Sequence, residues 1–219
     1  MRNGSRPKHV VLVGLSGSGK STVGPLLAQR LGRPFVDTDA LIEAEAGKPI
    51  PSIFVELGEP AFREIERLAV TRATSGPPAV IATGGGAPVP AQNRALLWRD
   101  NLVVWLDARV ETLVGRLGAG DAGRPLLAGD PAAHLAGLRA SRAEIYGTAH
   151  LRIETDEVMP EIVADRIMNA LAGYASVARG LVPRSGRPAG DKAPRYRRTA
   201  AADQQQAAAE WSERHDGDD

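Results

Sequence analysis

Nine residues constrain this chain more than any others: GLSGSGKST, residues 14–22, directly after the apolar run Val10, Val11, Leu12 and Val13. The run is rich in β-branched residues and does not alternate with polar ones, which marks a strand covered on both faces of a parallel sheet. After the glycines the spacing becomes helical over residues 20–31 and stops at Gly32. A strand, a turn of the form GxxxxGK[ST] and a helix, in that order, make a cradle for phosphate. The glycines let successive N–H groups converge on phosphate oxygens where a Cβ would crowd the approach, and the helix N-terminus adds partial positive charge. Lys20 supplies a full charge at the β- and γ-phosphates, and Ser21 is placed to give its hydroxyl to Mg²⁺. Gly17, Ser18, Gly19 and Thr22 complete the expected nucleotide contacts, so ATP with Mg²⁺ is the expected cofactor pair.

Further short apolar runs fall at residues 34–36, 79–82, 101–106 and 151–153. Helix-like stretches separate them, at 40–46, 59–73, 90–98, 110–117, 131–146 and 161–174. That alternation indicates an α/β fold on a parallel sheet. Roughly forty residues, not a short crossover, separate the runs at 34–36 and 79–82, which places a helical insertion at about 40–75, where substrate is expected to sit. Residues 118–130, GAGDAGRPLLAGD, have the composition of a mobile loop over a site. Beyond about residue 179 few large apolar residues remain, so the expected arrangement is one folded domain over 1–178 and a disordered tail over 179–219.

The 219-residue chain is 43% hydrophobic, enough for one full core. With 27 basic and 26 acidic residues the net charge is +1, which leaves no electrostatic footprint for nucleic acid or an anionic membrane. The absence of cysteine excludes a disulfide framework and a thiolate metal site and suits the cytoplasm. The basic N-terminus leads into an apolar run of only residues 9–15, which breaks into glycines and reads as a strand and not a leader. No other run approaches the about 18 apolar residues of a membrane span.

Three further patterns carry chemistry. Val36-Asp37-Thr38-Asp39 ends a short strand on the sheet edge that holds the phosphate loop. On extended backbone Asp37 and Asp39 point to one side, one to hold Mg²⁺ or its water and the other to take a proton from an attacking hydroxyl. The alternative is that Asp37 ends the strand and Asp39 caps the next helix. Thr83-Gly84-Gly85-Gly86 follows another strand; bare backbone there suits close approach to a ligand's hydroxyls, or is simply a turn. Arg63, Arg124 and Arg142 are solvated surface residues or a set of anion ligands. Arg63 and Glu66 lie one helical turn apart, so the carboxylate can hold the guanidinium for bidentate capture of a substrate carboxylate.

Taken in order, GLSGSGKST, DTD, FREIE, TGGG, RPLL and RxxxY resemble the shikimate kinases over roughly residues 8 to 172. The resemblance implies a P-loop NTPase-type, three-layer fold with a five-stranded parallel sheet, a helical substrate-binding insertion and a mobile lid. It also implies transfer of phosphate from ATP to the 3-hydroxyl of shikimate, a step towards aromatic amino acids, by a monomer. By the same resemblance Asp39 is the general base and a shikimate contact, and Asp37 a water-mediated Mg²⁺ contact beside Ser21. Arg63 and Arg142 clamp the carboxylate, Gly84, Gly85 and Gly86 lie beside the ring, and Phe54 and Phe62 form pocket walls. Arg124 reaches the transferring phosphate from the lid, while Arg116 and residues 154–156 lie near adenine. Ser16 stands where the family often has proline or alanine. A gluconate-kinase-like enzyme is the nearest rival; it shares the loop and an acidic strand end but does not account for FREIE, GGG and RPLL together.

Overall fold

The computed structural model describes residues 7–118 and 130–178. All of them belong to one compact unit, Met1–Val182, while a second unit, Pro183–Asp219, lies outside the described residues. The expected tail and most of the expected lid, including Arg124, therefore also lie outside them.

Five strands form one parallel sheet: β1 (Val10–Val13), β2 (Phe35–Asp37), β3 (Val80–Ala82), β4 (Leu102–Asp107) and β5 (Leu151–Glu154), in the order β2-β3-β1-β4-β5. The helices are α1 (Lys20–Leu31), α2 (Thr38–Ala46), α3 (Ile50–Ser75), α4 (Ala91–Trp98), α5 (Val110–Gly118), α6 (Pro131–Gly147) and α7 (Pro160–Ala178). Successive residues of β1 serve opposite faces. Val10 and Leu12 join the core under α1 and α7, and Val11 and Val13 join the core under α3 to α6. All four are fully buried, which explains why the run shows no alternation. The chain turns from β2 back to β3 on one side of β1 and passes to β4 on the other. The crevice at the carboxyl ends of β1, β3 and β4 is the place where such sheets take ligands. Among the described residues no helix is long and apolar enough to cross a membrane.

Two expectations about local structure need correction. Asp39 does not stand on extended backbone: helix α2 begins at Thr38, with Asp37 as its N-cap. The Asp37 side chain accepts the Asp39 amide at 3.0 Å, and an N-cap bond of this kind turns the chain into a helix one residue after the strand. The second helix of the insertion is also longer than the expected stretch 59–73. It runs over Ile50–Ser75, broken at Gly58 with φ 76°. Prolines 49, 51 and 60 hide this from the sequence pattern, although Pro51 sits in the first turn, where its missing N–H costs nothing. Ile42, Ile53, Phe62 and Ala69 form a small core of their own between α2 and α3.

Two histidines work at the far end of the sheet. His9 Nδ1 accepts the Ala79 amide at 3.1 Å while Nε2 faces the Thr74 carbonyl at 3.1 Å, and His150 Nδ1 accepts the Val103 amide at 3.0 Å. Burial pushes both pKa values below the ordinary value of 6.5, helped at His9 by the charges of Lys8 and Arg33. Protonation would set an N–H against a backbone N–H. Because the unfolded chain takes up these protons near pH 6.5 and the folded chain resists them, this stability is complete above that pH and lost as pH falls below it. Thermal melts between pH 7.5 and 5 should show Tm falling on acidification, with a shallower slope in His9→Gln; equal slopes would remove His9 from this role.

Candidate active site

The phosphate loop is built by backbone that only glycine tolerates. Gly14, Gly17 and Gly19 have φ of 144°, 81° and 95°, and a Cβ on Gly14 would fall 2.4 Å from the Leu106 carbonyl oxygen. Buried Lys20 donates from Nζ to the carbonyls of Gly14 at 2.8 Å and Leu15 at 2.9 Å, which fixes its charge at the mouth of the loop. Ser21 Oγ donates to Asp37 Oδ2 at 3.1 Å. A hydroxyl and a carboxylate side by side suit Mg²⁺, which takes few protein ligands and fills the rest of its octahedron with phosphate and water. Among the described residues no group of three or more His, Asp or Glu side chains offers a denser metal site. Around the loop lies a cavity of about 550 Å³, lined by residues 16–23 together with Asp37, Asp39, Arg116 and Thr155.

A second cavity, of about 170 Å³, adjoins the first. Its walls are Phe54, Phe62, Arg63 and Glu66 of α3, the glycines 84–86 after β3, and Arg142 of α6. Ser16, Asp39 and Gly85 line both cavities. Each glycine of the triplet faces one charged side chain. A Cβ on Gly84 would lie 2.5 Å from Asp39 Oδ1, one on Gly85 3.2 Å from Arg142 Nη1, and one on Gly86 2.9 Å from Arg63 Nη1. The Gly84 amide donates to the Oγ1 of fully buried Thr38 at 3.1 Å, tying the triplet to the start of α2.

The charges are arranged unequally across this second cavity. Arg63 donates to Glu66 at 3.0 Å and through two nitrogens to Glu59 at 3.0 and 3.2 Å, and its guanidinium stands 5.3 Å from the Phe62 ring centroid. The carboxylates thus fix the fork from behind. Burial pushes the Glu66 carboxyl up, against the pull of Arg63. At the other end Asp39 is raised to about 6, chiefly by burial and then by the charge of Asp37, with Lys20 pulling the opposite way. An acid whose proton leaves near neutrality, set between an anion cradle and an arginine pair, has the character of a general base.

The family profile described as shikimate kinase matches residues 16–172. This chain belongs to the shikimate kinase family. The shikimate kinase of Symbiobacterium thermophilum is 51% identical over 166 residues, covering 74% of this chain and 95% of the relative. That of Caulobacter vibrioides is 47% identical over 167 residues, covering 76% of this chain and 83% of the relative. Among solved structures, the shikimate kinase from Acinetobacter baumannii in complex with shikimate has a TM-score of 0.72 at 38% identity, covering 76% of this chain and 94% of that one. The gluconate-kinase-like alternative is the weaker one, because the profile and these relatives are all shikimate kinases.

In this member of the shikimate kinase family the larger cavity is lined in part by Arg116, which donates to the Thr155 carbonyl at 2.5 Å and to Gly17 O and Thr155 Oγ1 at 3.2 Å each. Of residues 154–156 only Thr155 lines the cavity. Glu154 belongs to a separate depression on β5, and Asp156 accepts the Arg109 amide at 3.0 Å. Sequence reasoning did not find Thr38 or Glu59. The position of Thr38 between two aspartates hides its role, whereas the i,i+4 spacing of Glu59 and Arg63 on one helix was a usable signal.

Proposed function

We propose that this chain phosphorylates the 3-hydroxyl of shikimate with ATP, giving shikimate 3-phosphate and ADP. The single observation that carries the reading is that Asp39 lines both cavities, with Lys20 on one side and the Arg63 and Arg142 pair on the other. Backbone amides of residues 17–19 and the Lys20 ammonium bind the β- and γ-phosphates; Arg116 and Thr155 border the nucleoside end. Ser21 and Asp37 would hold Mg²⁺, which when bound would neutralise charge on the phosphates. Arg63 and Arg142 take the substrate carboxylate, and the bare backbone of Gly84, Gly85 and Gly86 lets the ring lie against the β3 turn. Asp39 accepts the hydroxyl proton as the oxygen attacks the γ-phosphorus and the bond to the β–γ bridging oxygen breaks, releasing ADP. The reaction is placed on a free metabolite in the cytoplasm, in a monomer; a near-zero net charge does not favour a nucleic-acid or membrane partner, and the lack of cysteine suits a reducing compartment.

A coupled ADP-release assay tests the reading. With Mg²⁺ and ATP we expect turnover with shikimate and none above background with gluconate or without acceptor. ADP release at the same rate in all three arms, or turnover with gluconate alone, would refute it.

A further inference from the structure

Asp107, the last residue of β4, takes no part in the chemistry above, yet its carboxylate is 6% exposed and meets two guanidinium groups. Arg139 of α6 approaches it at 3.0, 3.3 and 3.4 Å, and Arg152 of β5 at 2.7 and 3.1 Å. The Asp107 carbonyl oxygen meanwhile accepts the Thr155 amide at 2.8 Å and its hydroxyl at 3.2 Å. One residue therefore touches helix α6 with its side chain and the wall of the nucleotide cavity with its backbone.

We infer that the Asp107–Arg139 pair positions Arg142, and that it is a specificity device for the carboxylate end of the acceptor. Arg139 and Arg142 lie three residues apart on α6, so a contact that fixes Arg139 also fixes the helical turn that carries Arg142. Asp107 draws Arg139 away from the acceptor cavity, whose lining includes Arg142 and not Arg139. On the other side of Arg142, Tyr146 donates its hydroxyl to the Gly85 carbonyl at 2.5 Å, and its ring lies 5.8 Å from that of Trp105 of β4, tilted by 41°. The helix that carries Arg142 is thus pinned to the sheet on both sides of it, and the first pin is an ion pair at a largely buried carboxylate. Such a pair is uncertain as a source of net stability but strong as a fixer of geometry.

This inference rests on the shikimate reading, so its test separates the two. Arg139→Gln and Arg152→Gln each remove one of the two guanidinium groups on Asp107, but only Arg139 lies on α6. Arg139→Gln should lower kcat/KM for shikimate roughly ten- to hundredfold, the order expected when a binding group moves by an ångström, with KM for ATP unchanged to within about twofold. Arg152→Gln should leave both parameters near wild type at a comparable loss of Tm. Combined with Arg142→Ala, Arg139→Gln should add no further loss, because it acts only through Arg142. Arg139→Lys, which keeps the charge but not the fork, should fall between and serves if the glutamine variant does not fold. Equal effects of Arg139→Gln and Arg152→Gln on kcat/KM, or full additivity with Arg142→Ala, would overturn the positioning role. If Arg142→Ala alone leaves shikimate kinetics unchanged, it is the placement of the acceptor that fails first.

Discussion

Replacing Asp39 with Asn should lower kcat by about 10²–10⁴-fold while ATP still binds, because the amide keeps the shape of the side chain but loses its charge and its capacity to take a proton. Wild-type kcat/KM for shikimate should rise with pH through a limb near the Asp39 value of about 6, since the base works only when ionised. The Asn variant should lack that limb. Its Tm at pH 8 should exceed that of the wild type, because burial of the ionised carboxylate, with Asp37 beside it, opposes the native state above its pKa. A variant with wild-type kcat would exclude Asp39 as the base.

Arg63→Ala combines two effects that pH separates. Loss of a charge-assisted contact should raise KM for shikimate about 10- to 100-fold and leave KM for ATP nearly unchanged. The same change strips Glu66, whose side chain is 3% exposed, of its nearest counter-charge, and breaking such a pair destabilises by about 3–5 kcal/mol. The Glu66 carboxyl is already raised by burial, and without Arg63 it rises further, so the folded variant binds a proton that the unfolded chain releases. The Tm deficit should therefore be large at pH 8 and shrink towards pH 5. Adding Glu66→Gln should restore much of the Tm without restoring KM. Recovery of both would mean that Arg63 only supports the fold, and an equal rise in both KM values would remove it from the carboxylate.

How far these features could be read from sequence follows from how local their causes are. The phosphate loop was legible because its requirements, glycines at positive φ and a lysine one residue into α1, act within nine residues. The five strands were legible because burial on both faces leaves uninterrupted apolar runs. The helical placement of Asp39 was not, since it depends on which partner the Asp37 carboxylate takes and on a Thr38 to Gly84 contact 46 residues away. The first half of α3 was obscured by prolines and by Gly58, which are loop signals when met singly. Asp107 could not be found at all, because its partners lie 32 and 45 residues downstream on separate elements.

The glycine triplet after β3 sets a direction for any redesign of this scaffold. A Cβ at any of the three positions would press on Asp39, Arg142 or Arg63, so that wall cannot advance without displacing a functional group. The opposite wall is different: Phe54 is 36% exposed and its ring lies 4.2 Å from that of Phe62, tilted by 31°, on a helix segment that ends at the Gly58 break. Variants that accept bulkier or smaller ring acids should therefore emerge from residues 50–62, while libraries built on residues 84–86 yield mostly dead protein.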